Sequence, residues 1–231
     1  MADSIDYFSK QHPLRRFATR IALRAREQMF VRFAHTVPFD ERTTVIDVGV
    51  TPDQDLADSN FFERLYPYPG QLTATSIEDA EFLEQRYPGL RFVRTDGGGL
   101  PFAEGEFGIA FSSAVLEHVG DRSAQRQFVD EICRVADRFY ITTPNRWFPV
   151  ELHTFLPLFH WLPQRWHQAT LRRLGKAFWA DTANLNLVSA RELRDLFPPG
   201  TTVRVDRHRT LGWTSNLIAH GRVTRPTSPP P

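Results

Sequence analysis

The sequence predicts an α/β fold: a Rossmann-like, doubly wound sheet of seven strands with a terminal antiparallel hairpin and an aromatic-rich insertion after strand five. Short β-branched runs alternate with helical segments between residues 43 and 143, which is typical of a parallel sheet with helices on both faces. The last two strand-like runs follow one another with no helix between them, and this predicts the hairpin. A chain of 231 residues is long enough for one such domain.

The first predicted element is a basic helix. Between residues 13 and 34, apolar residues recur roughly at helical spacing, and six arginines lie among them with Glu27 as the single acidic residue. This pattern predicts a helix that packs on the domain and exposes its basic face to solvent. The alternative is a helix whose basic face touches an anionic surface. Residues 1–42 are predicted to form this N-terminal basic segment.

The elements of the core follow in chain order. Strands are predicted at 43–48, 71–77, 90–95, 109–113 and 139–143, and helices at 60–66, 78–87 and 124–136. Further along, Ser189 with Glu192 three residues later forms a capping-box pattern, which predicts another helix. Two closing strands are predicted at 202–208 and 216–221. In chain order, residues 43–146 and 188–223 are predicted to form the core, residues 147–187 the insertion, and residues 224–231 a disordered tail.

The composition excludes several classes of protein. The net charge of +1 gives no whole-molecule field for nucleic acid, and the basic residues cluster in one helix without an obvious stacking platform. The single cysteine, Cys133, excludes an intramolecular disulfide and fits a reducing compartment. The most apolar window, residues 147–166, contains charged residues and prolines and does not resemble a membrane span. We therefore expect a cytoplasmic protein, with association at a membrane surface as a further possibility.

Polar residues follow the predicted strands at the edge where doubly wound sheets bind ligands. They are Asp47, beside Gly49, after strand one, Glu78 after strand two, Asp96, beside Gly97, after strand three, and Ser113 and His118 after strand four. The set is rich in carboxylates and poor in Lys and Arg, so it disfavours phosphate and favours a ligand with a cation and free hydroxyls. Asp47 would attract an ammonium group, Glu78 would accept from ribose hydroxyls and Asp96 from an adenine amino group. Gly97 would allow a close approach of the backbone.

One long stretch resembles a known family. Residues 95–121 read TDGGGLPFAEGEFGIAFSSAVLEHVGD. The elements that carry the resemblance are Asp96 at the end of strand three, Leu100-Pro101-Phe102, Phe107, and Leu116-Glu117-His118-Val119 at the start of a helix. In this order and spacing they resemble the class I methyltransferases that use S-adenosylmethionine, of the type that modifies small molecules and lipids. The resemblance covers about residues 43–146 and, more loosely, 188–222.

The resemblance implies an enzyme whose cofactor is S-adenosylmethionine. It implies that Asp47 and Gly49 line the methionine part of the cofactor, that Asp96 lies on the adenine side, and that Ser113 and the backbone near Val115 lie under the sulfonium. The sequence departs from the family pattern at three places. Thr51 and Asp53 stand where the first loop usually has glycines, Ser76 stands where strand two usually ends in an acid, so that Glu78 would substitute, and Gly108 stands where an Asp usually precedes strand four.

The insertion is the segment that bears on how the acceptor is bound. It is rich in Trp, Phe, His and Pro, and His153, His160 and His167 recur every seven residues. Metal ligands on a helix are normally three or four residues apart, and prolines interrupt this segment, so no metal site is predicted. The insertion is expected to form a lid over the cofactor, with His153 as general base. For His118, a place beside the cofactor and a helix-packing role are both open.

The predicted function is S-adenosylmethionine-dependent methyl transfer to a small-molecule, saccharide or lipid-linked acceptor. The alternative is a non-catalytic binding module that keeps the methyltransferase fold with a degenerate cofactor loop. Nicotinamide chemistry is disfavoured because the Gly-x-Gly-x-x-Gly pattern is missing. No nucleic-acid partner is expected. Contact with a membrane surface, if it occurs, is expected through residues 13–34 and 147–166, which would bring the enzyme to a lipid-linked acceptor.

Overall fold

The computed structural model describes residues 15–225 except residues 57, 58, 98 and 152, with the backbone alone for residues 15–22. The helices are α1 (Arg15–Thr36), α2 (Phe61–Leu65), α3 (Phe82–Arg86), α4 (Arg122–Val135), α5 (Gln164–Arg173) and α6 (Ala190–Arg194). The strands are β1 (Val45–Val48), β2 (Leu72–Ser76), β3 (Arg91–Arg94), β4 (Phe107–Ser113), β5 (Ala136–Pro144), β6 (Thr201–Thr210) and β7 (Trp213–Val223).

The seven strands form one sheet in the order β3-β2-β1-β4-β5-β7-β6. The first five strands pair in parallel, and β7 runs antiparallel to both β5 and β6. The predicted doubly wound sheet and its terminal hairpin are thus confirmed. The strand order reverses beside β1, which pairs with β2 on one side and β4 on the other. Ligands of such sheets bind outside the carboxyl ends of the strands at this reversal.

Helix α1 packs against one face of the sheet. The ring of Phe33 is fully buried, and its centroid lies 5.3 Å from Phe62, 5.6 Å from Phe111 and 5.3 Å from Tyr140. The Tyr140 hydroxyl donates to the carbonyl of Met29 at 3.1 Å. The prediction that this helix packs on the domain is confirmed for its second half, and the predicted start of the helix, at residues 13 and 14, lies outside the described residues.

Helices α4 and α6 cover the opposite face. Asp121 caps α4 by accepting from the backbone N–H groups of Ser123 and Ala124, and the predicted capping box of Ser189 and Glu192 begins α6. Cys133 of α4 lies buried in this second core. Burial raises the pKa of its thiol to about 12, so the thiolate is scarce at neutral pH.

The insertion contains α5 and short 3-10 turns at Phe159–Trp161 and Phe178–Ala180, and no strand is assigned among its described residues. An isolated bridge between Asn145 and Val188 joins the residues that flank the insertion, and a second one, between Val150 and Pro157, lies within its first part. In the described part of the chain, no helix combines the length and the hydropathy that a membrane span requires.

The predicted disordered tail lies mostly outside the described residues, at 226–231. Arg225, near its start, donates to the carbonyls of Cys133, Arg134 and Ala136. The first two acceptors lie in the last turn of α4 and the third is the first residue of β5, so the guanidinium caps that helix and fixes the segment after β7 against it.

Candidate functional site

A cavity of about 900 Å³ lies at the carboxyl ends of β1, β2 and β4. Its size is that of a site for a cofactor or a drug-sized ligand. The lining includes Asp47, Gly49, Glu78, Gly97, Ser113, Val115, His118 and His153 among the residues singled out from the sequence. Asp96 is exposed and is not among the described residues that line the cavity. The sheet reversal therefore brings together eight of the nine predicted residues.

Gly49 and Val115 meet at the floor of the cavity. Gly49 has φ +101, and its backbone N–H donates to the carbonyl of Thr75 at 2.8 Å. A Cβ atom on Gly49 would lie 2.3 Å from a methyl carbon of Val115. Ala114 also has a positive φ, 59°, which is uncommon for a residue with a side chain. The loop after β1 and the loop after β4 thus cross at a point where only glycine fits.

The loop after β1 holds its shape through side chains rather than glycines. The N–H of Thr51 donates to Asn60 Oδ1 at 3.0 Å, and Asn60 Nδ2 returns a bond to the Thr51 carbonyl at 2.8 Å. The Asp53 carboxylate accepts from the N–H of Asp55 at 2.8 Å and from Ser59 Oγ at 3.1 Å. Asx and Ser/Thr side chains commonly stabilise turns in this way. Asp53, which stands where a glycine was expected, therefore shapes the loop through its side chain.

Two buried carboxyl groups lie together at the cavity wall. Asp47 is 6% exposed and Glu63 of α2 is 2% exposed, and both line the cavity. Burial raises the pKa of Asp47 well above its ordinary value, and the charge of Glu63 raises it further. Burial likewise raises the pKa of Glu63. Apart from the hydrogen bond that the two carboxyl groups form with each other when one is protonated, the oxygens of Glu63 have no partner among the described residues. A cationic ligand would relieve the cost of burying this pair.

The lining as a whole is acidic. It contains one arginine, Arg26, against six carboxylate residues in the described part of the chain: Asp47, Asp53, Asp55, Glu63, Glu78 and Glu131. Sequence reasoning missed Glu63, because a glutamate in the short segment FFERL reads as an ordinary surface position of a helix. The charge of the lining favours a cation over a phosphate.

The opposite wall is built from the loops after β2 and β3. Glu78 lies half-buried in the lining, and its N–H donates to Ser76 Oγ at 3.2 Å, so the serine positions the acid two residues later. Gly97 has φ +80, and Ile77 presents a side chain that is 56% exposed and lines the cavity. An exposed isoleucine beside a glycine provides an apolar wall for a flat ring.

Arg134 and Glu131 of α4 hold the loop after β3. Arg134 Nε donates to Glu131 Oε1 at 2.7 Å, and its terminal nitrogens donate to the carbonyls of Phe102 and Leu100 at 2.7 and 2.8 Å. Glu131 Oε2 accepts from the N–H of Leu100 at 2.9 Å. The Leu-Pro-Phe motif is thus fixed to α4 by a charge-assisted network. Hydrogen bonding to Arg134 lowers the pKa of Glu131.

Imidazole rings lie at the other end of the cavity. The ring centroids of His118 and His153 are 4.9 Å apart, and Trp179 packs 4.9 Å from His153. Ser113 Oγ forms a hydrogen bond of 2.9 Å with Thr142 Oγ1. His160 and His167 are not among the described residues that line this cavity, and His160 lines a small second cavity together with Glu151.

Glu151 orients the ring of His153. Glu151 Oε1 lies 2.6 Å from His153 Nδ1 and also accepts from the backbone N–H of His153. Burial would raise the pKa of Glu151, but the charge and the hydrogen bond of His153 outweigh it and lower the pKa to about 2. Burial would lower the pKa of His153, but Glu151 outweighs it and raises that pKa. Burial lowers the pKa of His118.

The imidazole end also brings three potential metal ligands together. Glu117, His118 and His153 each offer one ligand atom, and these atoms lie within 4.8 Å of one another. The sequence pointed to the seven-residue spacing of the histidines in the insertion, whereas the structure pairs His153 with the neighbouring residues Glu117 and His118 after β4. Glu117 was visible as part of the Leu-Glu-His-Val motif and was not singled out as a ligand.

Comparisons with known proteins agree with this geometry. A family model described as a methyltransferase domain matches residues 59–138. No curated protein sequence matches the chain. Among solved structures, a protein from Pyrococcus horikoshii OT3 is 12% identical, with a TM-score of 0.58 over 95% of each chain.

Two further structures carry a stated activity. An S-adenosylmethionine-dependent methyltransferase from Aquifex aeolicus is 13% identical, with a TM-score of 0.53 over 89% of this chain and 93% of that chain. The N-methyltransferase NodS from Bradyrhizobium japonicum, in complex with S-adenosyl-L-homocysteine, is 15% identical, with a TM-score of 0.50 over 94% of this chain and 90% of that chain. At these identities the likenesses show the fold.

Proposed function

We propose that this chain is a class I S-adenosylmethionine-dependent methyltransferase and that it methylates a small-molecule, saccharide or lipid-linked acceptor. The observation that carries the proposal is one cavity with a buried carboxyl pair at one wall and two imidazoles at its far end. S-adenosylmethionine supplies a methyl group on a cationic sulfur, together with an ammonium group, ribose and adenine. The acidic lining of the cavity supports the proposal, because its charge suits a cationic ligand.

The acidic wall fits the methionine part of the cofactor. The buried carboxyl groups of Glu63 and Asp47 would accept from an ammonium group, which lowers the cost of their burial. Gly49 would let the ligand approach the backbone, because a side chain there would strike Val115. The acidic lining would also hold the cationic cofactor more tightly than the product that has lost the sulfonium charge, which favours release of the product.

The loops after β2 and β3 fit the nucleoside. Glu78 would accept from the ribose hydroxyls, and adenine would lie against Ile77 and the backbone of Gly97. Asp96 is exposed outside the lining, so its contact with the adenine amino group stays a prediction that depends on a movement of its loop.

The imidazole end would receive the acceptor. Ser113 and Val115 would lie under the transferred methyl group, and His118 and His153 would face the attacking atom. Glu151 holds His153 Nδ1, so the other ring nitrogen would take the proton of an acceptor hydroxyl as general base. The chain's main contribution would be to hold donor and acceptor in line with water excluded by Trp179 and the insertion.

Calorimetry with S-adenosylmethionine, and transfer of an isotopically labelled methyl group to a panel of acceptors, test this function. We expect Glu78→Ala to weaken cofactor binding about 10- to 100-fold, the cost of a lost hydrogen bond to a charged group. The matched control is Asp79→Ala, an exposed neighbour that is not among the lining residues and that should retain affinity. Absence of binding at millimolar cofactor would contradict the proposal, and binding without transfer to any acceptor would favour the non-catalytic alternative.

The surface of the insertion favours a lipid-linked acceptor. Trp147, Leu158, Phe159, Leu162 and Trp166 are between 38% and 59% exposed. Clustered in sequence and followed by the basic residues of α5, they have the composition of a segment that enters the interface of an anionic membrane. In the described part of α1, Met29 and Phe33 are buried in the core, whereas Arg24 and Val31 are exposed and could contact the same surface.

Sedimentation with vesicles of phosphatidylglycerol and phosphatidylcholine tests the lipid contact. The double variant Trp147→Ser/Trp166→Ser should lose binding, while Trp213→Ser, which changes an exposed tryptophan of the terminal hairpin, should retain it. Equal binding by both variants, or no binding by the unaltered protein, would leave soluble saccharides and small molecules as the acceptors.

A further inference from the structure

We propose that Glu117, His118 and His153 form a binding site for a divalent transition-metal ion of the Zn²⁺ type at the acceptor end of the cavity. Binding of the ion follows from the cluster itself. Its catalytic role, to hold and activate an acceptor hydroxyl, rests on the proposed function.

The composition of the cluster fits such an ion. Two imidazoles and one carboxylate form the ligand set of many catalytic zinc sites, and they leave one or more positions for water or substrate. The three ligand atoms lie within 4.8 Å of one another, and His118 Nε2 is 3.9 Å from Glu117 Oε1. Ligands about 2.0–2.1 Å from a tetrahedral ion lie about 3.4 Å apart, so the cluster would contract by roughly an ångström on binding.

Each ligand is oriented by a second group behind it. His118 Nδ1 lies 2.7 Å from the carbonyl of Asn184, and His153 Nδ1 lies 2.6 Å from Glu151 Oε1. Glu117 Oε2 accepts from the hydroxyl of Thr143 at 2.9 Å. Metal-binding histidines almost always donate their other ring N–H to a carbonyl or carboxylate in this way. Because Nδ1 of each ring already forms a hydrogen bond, Nε2 would be the atom of each ring that binds the ion.

Glu117 supplies an independent observation. Its side chain is fully buried, and Oε1 has no hydrogen-bond partner among the described residues. A buried carboxylate oxygen without a partner is costly, and native structures retain such an atom where a function or a bound ion explains it. Oε1 is the atom of Glu117 that lies nearest His118 Nε2. A cation between them would satisfy this oxygen.

The position of the site connects it to methyl transfer. His118 and His153 line the cavity together with Ser113 and Val115, so an ion held by the imidazoles would have its open position on the side of the methyl donor. There it would bind the oxygen of an acceptor hydroxyl and lower its pKa, so that the proton leaves to water. The oxygen's electron pair then forms the O–C bond, and the pair of the broken S–C bond stays on sulfur. With the ion bound, His153 is a ligand and no longer the general base.

The first measurement is binding of the ion itself. Full-length protein is freed of metal with a chelator, dialysed, and titrated with Zn²⁺ by calorimetry and with Co²⁺ by visible absorption. We expect one ion per chain and the d–d bands of Co²⁺ bound by nitrogen and oxygen. Protein that binds neither ion, or that shows only the spectrum of hydrated Co²⁺, overturns the proposal.

Variants locate the site. Glu117→Gln and His118→Asn should each abolish the Co²⁺ spectrum, and Glu151→Gln should weaken binding about 10- to 100-fold, as expected for a group behind a ligand. The control is His167→Gln, a half-buried histidine of the same insertion outside the cluster. Circular dichroism and the thermal midpoint verify that each variant folds. An ion that still binds to folded Glu117→Gln and His118→Asn lies elsewhere and contradicts the assignment.

Failure of this inference and failure of the proposed function are distinguishable. Binding of S-adenosylmethionine is measured on the same metal-free and metal-loaded samples. Binding of cofactor without binding of Co²⁺ overturns the metal site alone, whereas binding of Co²⁺ without cofactor overturns the proposed function alone. If both bind, metal-free enzyme that transfers methyl groups at the full rate contradicts the catalytic role of the ion and leaves His153 as the base.

Discussion

Gly49 and Val115 pack so tightly that the crossing of two loops at the cavity floor admits no side chain on Gly49. Gly49 also has a left-handed backbone, so a substitution there meets two separate penalties. The crossing joins the end of β1 to the loop after β4, and a displacement of either would move the residues that line the cavity.

Replacement of Gly49 tests this crossing. Gly49→Val should abolish cofactor binding, and Gly49→Ala should weaken it at least tenfold, since about 1–3 kcal/mol of backbone strain adds to the clash with Val115. The matched control is Gly212→Ala, which has φ +85 but no atom within 4 Å of the added Cβ. Calorimetry with S-adenosylmethionine gives the affinities. Normal binding by Gly49→Val would show that the turn is scaffold and does not contact the cofactor.

The buried pair of Asp47 and Glu63 predicts a dependence of stability on pH. Their pKa values are raised in the folded state, so the protonated forms stabilise the fold below the ordinary carboxyl pKa of about 4. This stabilisation is lost as the pH rises through the raised values. Urea unfolding of cofactor-free protein should therefore show a free energy of unfolding that falls as the pH rises from the ordinary carboxyl pKa through the raised pKa values of the pair. Glu63→Gln should flatten the fall, while the exposed Glu41→Gln should leave it unchanged.

The same pair predicts the opposite trend for the cofactor. The ionised carboxylates attract the ammonium group, so the affinity for S-adenosylmethionine should rise as the pH increases through the raised pKa of Asp47. Calorimetry in buffers of different ionisation enthalpy should detect the protons released on binding. An affinity that is constant with pH would place the ammonium group away from this wall.

Asp53 is expected to act through the shape of its loop. Asp53→Ala removes the acceptor for Asp55 and Ser59 and should cost about 1 kcal/mol of stability, with a cofactor affinity lowered only modestly. Asp53→Asn keeps an acceptor oxygen without the charge, and it should restore most of the stability. Thermal unfolding and calorimetry separate the two effects. Equal loss of affinity in both variants would indicate that the charge itself contacts the ligand.

Arg134 predicts a link between α4 and the adenine side of the cavity. Arg134→Lys keeps the charge but cannot reach Glu131, Phe102 and Leu100 at once, because an ammonium lacks the planar fork of a guanidinium. We expect a loss of about 1–2 kcal/mol of stability and weaker cofactor binding. The exposed Arg191→Lys of α6 is the control. Retained affinity in Arg134→Lys would show that the loop after β3 is held by other contacts.

The fold could be predicted from the sequence because its periodic patterns are local. Alternation of β-branched runs and helical segments located every strand of the core, and the capping box at Ser189 located α6. The strands are a few residues longer or shorter than predicted, since pairing with a neighbour decides where a strand ends. Helices α2 and α3 are shorter than predicted because turns and irregular backbone replace their predicted ends.

The candidate site could be predicted in part. Residues at strand ends were accessible to sequence reasoning, because a parallel sheet brings all its carboxyl ends to one edge. The pairing of Asp47 with Glu63, and of Glu117 with His153, joins segments that are separated in the chain and carry no shared pattern. Asp96 follows β3 as predicted, but it is not among the described residues that line the cavity. A position after a strand was therefore not sufficient to place its side chain in the site.

The buried thiol of Cys133 makes the protein convenient for site-directed labelling. It is the chain's single cysteine, and its high pKa keeps it unreactive toward maleimides in the native state. A new cysteine in place of exposed Trp166 could therefore carry one fluorophore or spin label with the native sequence otherwise intact. Slow modification of Cys133 itself would then report the rate at which the core opens. The same chain would therefore give little labelling of its native cysteine on the time scale of the reaction and a measure of its opening rate over longer times.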